Sequence, residues 1–239
     1  MMKKAMRLTV ILPMHNEEAR VEPCVVRVKQ ACESIAGNSY EILITEDGSK
    51  DRTYEAAKKV AKGDPHITIF HSAKRLGRGA ALTAALRKAK GTVSVYMDTD
   101  LSTNLPHLKQ LVSRIENGAA LATGSRLMPG SKAKRSLKRD VASRGFNLLV
   151  RTVLGSRLRD HQCGFKAFDT KKVQPLLREV EDTHWFWDTE MLVRAQRKGM
   201  RVDEIPVEWA EKGRASTVNM KNDVAYMASK IIYLKTRIG

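Results

Sequence analysis

The chain predicts an α/β fold: a doubly wound, mostly parallel sheet in a single domain that ends in an amphipathic helix. Short apolar runs recur at about 25-residue intervals, helical patterns fill the gaps, and polar clusters follow the runs. The runs are residues 8–12 (LTVIL), 40–45 (YEILIT), 67–70 (ITIF), 92–97 (TVSVYM) and 119–123 (AALAT). Their shortness and β-branched content suit strands buried on both faces. Residues 19–35, 52–62, 79–89 and 106–117 carry helical spacing between them, so the crossovers are expected to be right-handed. Asp51 is placed to cap the second helix, Gly91 to end the third and Pro106 to open the fourth. Beyond Gly124 the pattern changes to a basic loop at 125–140, an amphipathic helix at 141–154 and a strand at 165–169. A helix at 188–198 and a strand at 201–207 follow. Finally Val224, Met227, Ile231 and Leu234 recur at helical spacing beside Lys230, Lys235 and Arg237. No repeat or linker interrupts the 239 residues, so one domain over 1–239 is expected.

Composition narrows the function classes. With 42% hydrophobic and 29% charged residues the chain reads as soluble and globular. No apolar stretch approaches the roughly 18 residues a membrane span requires. The apolar run behind Met1-Met2-Lys3-Lys4 stops at Pro13, which fits a first strand rather than a signal peptide. Cys24, Cys32 and Cys163 are too sparse for a disulfide framework, so a reducing cytoplasm is expected. Lys and Arg number 43 against 26 acids, a net charge of +17 that points to an anionic partner. Residues 126–172 hold thirteen Lys/Arg against Asp140, Asp160 and Asp169, about +10 of that excess. A nucleic-acid-binding module would explain the charge, but aromatics are only 5% and no reading motif is present.

The chemistry falls at strand ends, where ligands of doubly wound sheets bind. The first strand runs into Pro13-Met14-His15-Asn16-Glu17-Glu18, the second into Glu46-Asp47-Gly48-Ser49-Lys50-Asp51, and the fourth into Asp98-Thr99-Asp100. Carboxylates crowded at one edge repel unless a cation or hydrogen-bond donors sit among them. Asp98 and Asp100 can take a Mg²⁺ or Mn²⁺ that also holds substrate phosphates. A bare DxD also occurs in solvated turns; its place after a buried strand, beside two other acidic loops, favours the metal. Lys74-Arg75-Leu76-Gly77-Arg78-Gly79 fits neither GxxxxGKS/T nor GxGxxG, which disfavours P-loop NTPases and dinucleotide oxidoreductases. His161 reads as a hydrogen-bonding loop residue and Cys163 as a packed one, since no metal spacing or base accompanies them.

Pro13-x-x-Asn16-Glu17-Glu18, Asp47-Gly48-Ser49-x-Asp51-x-Thr53, Gly77-x-Gly79, Asp98-x-Asp100, Gly124-Ser125-Arg126 and Asp160-x-Gln162-Cys163-Gly164-Phe165-Lys166 occur in that order. Together they resemble glycosyltransferase family 2, in its dolichyl-phosphate glucosyltransferase and mannosyltransferase branch, from about Leu8 to Val218. The resemblance implies a GT-A fold, a nucleotide-sugar donor, a divalent metal and a polyprenyl-phosphate acceptor. Residues 1–124 would then form the nucleotide-binding half and 125–239 the acceptor-binding half. By position, Pro13, His15, Asn16, Glu17 and Asp47 would hold base and ribose, with Gly48, Ser49, Arg78, Thr99, Gln162 and Arg214 also on the donor side. Asp98 and Asp100 would hold the metal, and Arg126 would lie between donor and acceptor phosphates. Arg139-x-x-x-Ser143 matches an acceptor-phosphate site; i and i+4 share a face at a helix start, where amides and dipole favour an anion. An ordinary surface arginine is the other reading of Arg139. The chain departs from the family at His15, where Tyr is usual, and at Glu46, where Asp is. Arg75 and Arg78 replace Asn and Lys, and Gly213-Arg214-Ala215-Ser216-Thr217 lacks a lysine for which Arg214 or Lys212 would substitute.

The resemblance implies an inverting, metal-dependent transfer of a sugar to a polyprenyl phosphate, the donor being UDP-glucose, UDP-GlcNAc or GDP-mannose. A hydroxyl acceptor on a polysaccharide or protein would instead need a carboxylate base, Asp188 or Glu190. A lipid phosphate must be met at an anionic membrane surface, which suggests peripheral attachment to the cytoplasmic face. Two devices offer themselves: the basic segment 132–144, and the terminal helix with Met227, Ile231 and Leu234 on one side. Docking of that helix as ordinary core is the competing expectation.

Overall fold

The computed structural model describes residues 6–211 and 220–238, with the side chains of 220–224 left aside. Among the described residues, β1 (Leu8–Met14), α1 (Glu18–Ala36), β2 (Tyr40–Asp47), α2 (Thr53–Ala61), β3 (Ile67–Ser72), α3 (Arg78–Lys88), β4 (Val93–Met97), α4 (His107–Glu116) and β5 (Leu121–Ser125) alternate as expected. Then come β6 (Lys132–Lys134), α5 (Leu137–Leu154), β7 (Phe165–Asp169), the short α6 (Thr170–Val173), α7 (Trp187–Arg197), β8 (Val202–Pro206), β9 (Glu208–Ala210) and α8 (Met220–Ile238). The main sheet runs β3-β2-β1-β4-β7-β5-β8, and β6 pairs with β9 in a small parallel ribbon. Every neighbour in the main sheet is parallel except β7, which lies antiparallel between β4 and β5.

Side-chain alternation assigns the two faces of the sheet. In β1, Val10 and Leu12 join Val21, Val25 and Val28 of α1 and Leu108, Leu111 and Ile115 of α4 on one side. Ile11 points the other way, toward Leu82 and Leu86 of α3 and Trp187, Met191 and Leu192 of α7. Asp51 accepts the Thr53 N–H just ahead of α2, one residue before the N-cap position, which Arg52 occupies, and α3 ends at Lys88, short of Gly91.

Two expectations change. The segment 125–140 is not all loop: β6 crosses it, and α5 begins a turn earlier, because Asp140 is held by Arg135 and Arg144. The apolar side of the terminal helix is also taken. Met227, Ile231 and Leu234 pack against Val150 and Leu154 of α5 and Val193 of α7, so this face is core and cannot lie in a membrane; the Val224 side chain is outside the described residues. The helix docks on other helices rather than on the sheet. No helix among the described residues is long and apolar enough to cross a membrane.

Candidate active site

The loops leaving β1, β2 and β4 meet at one edge, and the reversed β7 brings the turn that precedes it to the same edge. The first two loops are laced together. The His15 Nδ1–H donates to the Asp47 carbonyl at 2.8 Å, and since a carbonyl only accepts, this fixes the proton on Nδ1. The Asn16 amide N–H donates to Ser49 Oγ at 3.0 Å, and Asn16 Oδ1 accepts the Lys50 N–H at 2.8 Å. Asn16 adopts a left-handed φ of 56°, which asparagine tolerates better than most residues. Asp47 is buried, and its two oxygens accept the Leu76 and Gly77 N–H groups at 2.7 and 2.9 Å. Gly48 has φ 62°, and a Cβ there would stand 2.5 Å from the Arg75 nitrogen, so this turn requires glycine. Glu17 pairs with Arg20 at 2.9 Å, and Thr99 Oγ1 donates to the Pro13 carbonyl at 2.8 Å.

Asp98 sits at the centre of the edge. Its N–H donates to the Gly164 carbonyl at 3.0 Å, and its carboxylate accepts Arg78 Nη2 at 3.0 Å. A Cβ on Gly164 would lie 1.9 Å from Asp98 Oδ2, which explains the glycine in the run from Asp160 to Lys166. Asp100 Oδ1 accepts the Ser102 N–H at 2.8 Å. Among the described residues no third His, Cys, Asp or Glu joins them in a protein-only cage. Two hard carboxylate donors, with Asp98 45% exposed, fit a Mg²⁺ or Mn²⁺ that keeps coordination positions for diphosphate oxygens.

Behind Asp98 lies a buried charge network. Arg78 also donates to Asp188 Oδ2 at 2.7 Å, while Tyr96 Oη and Lys166 Nζ (3.2 Å) hold Asp188 Oδ1. Burial opposes the Arg78 charge, yet Asp188 and Asp98 hold its pKa above the usual value. Burial pushes the Asp188 carboxyl up despite Arg78, and pulls the Lys166 ammonium down to about 7. On the other side, Arg126 grips Asp160 with its backbone N–H, Nε and Nη2 at 2.9, 2.7 and 2.9 Å. Burial would raise Asp160, but the Arg126 guanidinium outweighs it and holds the carboxyl well below the carboxylate range. His161 is fully buried between Asn147 Oδ1 and Ser156 Oγ, 2.7 Å from each, and burial lowers it to about 3; it is a structural residue, as expected. Cys163 is buried and its thiol is pushed up to about 11, so it is no nucleophile at neutral pH.

Arg78, Asp98, Arg126, Gln162 and Asp188 line one end of an open groove of about 1010 Å³. Arg135, Lys138, Arg139 and Ser143 line it from α5, together with the apolar Ala142, Phe146 and Leu149, and Trp185, Trp209 and Met227 close its walls. Arg139 pairs with Glu211, and Ser143, one turn on, is buried. Glu190 is not part of the groove: its carboxylate accepts Arg194 Nε at 2.7 Å and the Glu181 and Asp182 N–H groups, which corrects its candidacy as a base. Arg214 and Lys212 lie outside the described residues. Sequence reasoning gave no role to Lys166, Tyr96, Trp185 or Trp209. Only Lys166 left a signal, as an ammonium in a buried strand straight after the Gln162-Cys163-Gly164 turn.

The fold sets polar loops and a carboxylate pair at one edge of a mixed α/β sheet, and comparison with known proteins gives the family to which that arrangement belongs. A profile described as "Glycosyl transferase family 2" matches residues 9–177. The chain is 48% identical over 227 residues to the glycosyltransferase AglD of Haloferax volcanii, covering 94% of this chain and 36% of that protein. It is 33% identical over 217 residues to the dolichyl-phosphate β-glucosyltransferase ALG5C of Trichomonas vaginalis, covering 86% and 64%. It thus spans about a third of the length of one relative and just under two thirds of the other. The chain belongs to glycosyl transferase family 2. Solved structures establish the GT-A fold. Glucosyl-3-phosphoglycerate synthase of Mycobacterium tuberculosis, in complex with Mn²⁺, UDP and glucosyl-3-phosphoglycerate, superposes with a TM-score of 0.65 at 17% identity, covering 95% of this chain and 77% of that one. The mannosyltransferase PcManGT of Pyrobaculum calidifontis, in complex with GDP-Man and Mn²⁺, gives 0.66 at 20% identity, covering 99% and 66%.

Proposed function

We propose that this protein is a glycosyltransferase that moves a sugar with inversion from a nucleotide diphosphate sugar to a polyprenyl phosphate. The groove carries the reading: cations and Asp98 at one end, and an arginine beside an apolar wall along α5, suit an acceptor with an anionic head and a hydrocarbon chain. The dolichyl-phosphate glucosyltransferases among its relatives support that acceptor class. Residues up to Gly124 would hold the donor, with the Pro13–Glu17 and Asp47–Ser49 loops at base and ribose, and those after it the acceptor.

Asp98 and Asp100 would hold Mg²⁺ or Mn²⁺, which when bound neutralises the leaving diphosphate. Arg126, its plane fixed by Asp160, and Arg139 would orient the attacking phosphate in line with the anomeric carbon. A phosphate monoester has its second pKa near about 6, so it attacks without a strong base. The geometry suits that economy: of the other carboxylates lining the groove, Asp188 gives its oxygens to Arg78, Tyr96 and Lys166 and Glu211 pairs with Arg139, while Glu190 is held by Arg194. A hydroxyl acceptor would therefore lack its base.

The test is transfer of radiolabelled sugar from UDP-glucose, UDP-GlcNAc or GDP-mannose to a short-chain polyprenyl phosphate and to hydroxyl acceptors, with Mn²⁺, Mg²⁺ or excess EDTA. Metal-dependent transfer to the phosphate is expected; transfer to hydroxyls alone, or full activity in EDTA, would overturn the reading. Thermal stabilisation by UDP or GDP with Mn²⁺ identifies the donor base, since ligand at 100 times its Kd adds about 2.7 kcal/mol.

A further inference from the structure

Helix α5 has three faces. Val150 and Leu154 pack against α7 and α8, and Ala142, Phe146 and Leu149 line the groove. The third face presents Leu137, Val141 and Leu148, which are 79%, 62% and 59% exposed. They stand at i, i+4 and i+11, within about 40° of each other around the helix at 3.6 residues per turn. Isolated exposed apolar residues are ordinary, but an apolar stripe of this kind marks a contact surface. Its flanks are cationic: Arg144 and Arg151 follow one side and Lys138 the other, all three exposed. Asp140, the acid on that side, is already held by Arg135 and Arg144.

An apolar stripe between cations is the pattern of a helix lying in the lipid interface. A second copy of the chain would bring its own net charge of +17 against these flanks, whereas an anionic lipid surface complements them. The stripe also adjoins the groove on the same helix, with Lys138 and Leu149 between the two faces. We infer that α5 docks this protein on an anionic lipid surface, with Leu137, Val141 and Leu148 entering the acyl boundary and Lys138, Arg144 and Arg151 among the headgroups. This deepens the polyprenyl-phosphate reading and rests on it: a lipid-borne phosphate enters the groove beside the helix on which the protein lies. The face of α8 that competed for this role is buried.

The test is co-sedimentation with phosphatidylcholine vesicles, with and without phosphatidylserine. Wild type binds the anionic vesicles more tightly than the neutral ones. The combined Leu137→Gln, Val141→Gln and Leu148→Gln variant loses about tenfold or more of that binding. Arg144→Gln with Arg151→Gln weakens it at low salt, and the deficit shrinks as salt screens the surface. Val26→Gln, which removes an exposed apolar side chain on α1, changes nothing. Leu148→Trp supplies a second readout, quenching by brominated lipid beyond that of wild type. Wild-type binding by the stripe variant, equal binding to neutral vesicles, or no added quenching would overturn the inference. So would a stripe variant that changes the solution molar mass, because the stripe would then cover a second copy. Transfer to a short-chain prenyl phosphate in solution keeps its rate in the stripe variant, while transfer to vesicle-borne acceptor falls. Anionic-vesicle binding without transfer to any prenyl phosphate would sink the acceptor and leave the surface; vesicle-borne transfer untouched by the stripe variant would sink the surface and leave the acceptor.

Discussion

On the β1 and β2 side of the site, polar side chains bond chiefly to backbone: Asp47 takes two amides, Glu46 takes that of Ser49 and Asn16 that of Lys50, with Glu17–Arg20 and Glu46–His71 as the charged pairs there. On the β5 and β7 side they bond to other charges, Asp160 to Arg126 and Asp188 to Arg78 and Lys166. A backbone amide stays where the loop's dihedral path puts it, whatever charge faces it. A buried side-chain cation is tolerable only while its partner is ionised, because an uncompensated charge in the interior costs several kcal/mol. The first side therefore owes its shape to chain geometry and the second to charge. Loss of charge should disturb stability on the second side and chemistry on the first.

The largest effect follows from Asp160→Asn, which strands the Arg126 guanidinium and should cost about 3–5 kcal/mol in urea unfolding. Asp47→Asn leaves one amide without its acceptor and should cost about 1–3 kcal/mol. Equal costs would erase the distinction between the two sides. Next comes Asp98→Asn, which should lower transfer about 10²–10³-fold, or about 2.7–4 kcal/mol in the barrier, with little change in Tm. Full activity would remove Asp98 from the donor site.

A pH titration sharpens the comparison further. His161 stays neutral when folded until its lowered pKa of about 3, whereas unfolded histidine takes up a proton below about 6.5. The unfolded state thus binds the extra proton between those values, and stability falls as pH drops through that window. At pH 5 the loss is about 2 kcal/mol at 1.36 kcal/mol per pH unit. Asp160, held low, adds its own loss only below about pH 4, whereas Asp188 and Glu204, held high by burial, act in the opposite sense, so the histidine's share is read as the difference between wild type and a His161 variant from about pH 6.5 to 5. A His161→Gln variant should show a flatter Tm profile there; a slope matching wild type would mean acid attacks elsewhere. The smallest effect is that of Arg139→Ala, which should raise the acceptor KM about tenfold, roughly 1.4 kcal/mol, and leave nucleotide affinity unchanged. Equal damage to both would move Arg139 to the donor side.

The central strands β1, β2 and β4 were legible because each is an apolar run buried on both faces, and the loops after them were legible because their polar clusters end those runs. Strand direction was not, since apolar periodicity reads the same either way; nothing in residues 165–169 announces that β7 is reversed. The ribbon of β6 and β9 escaped notice because Lys132-Ala133-Lys134 has no apolar run and each strand is three residues long. The buried network escaped for another reason. Arg78 and Asp188 are 110 residues apart, and no local pattern links a cation to a carboxylate at that distance. Asp188 and Glu190 looked interchangeable in the sequence, but two positions along a helix turn them to different faces, one to the groove and one to Arg194.

The reversal of β7 has an architectural result. Because β5 and β7 are antiparallel neighbours, paired at Leu121 with Phe168 and at Thr123 with Lys166, residues 126–164 leave the sheet and return to it side by side. Arg126, Arg139, Ser143, Gln162 and all of α5 belong to that one excursion, whose ends the ladder holds together whatever its length or content. It is a cassette. A scaffold wired this way can exchange what it presents to the groove by replacing a single continuous stretch of chain, while the loops after β1, β2 and β4 keep their places.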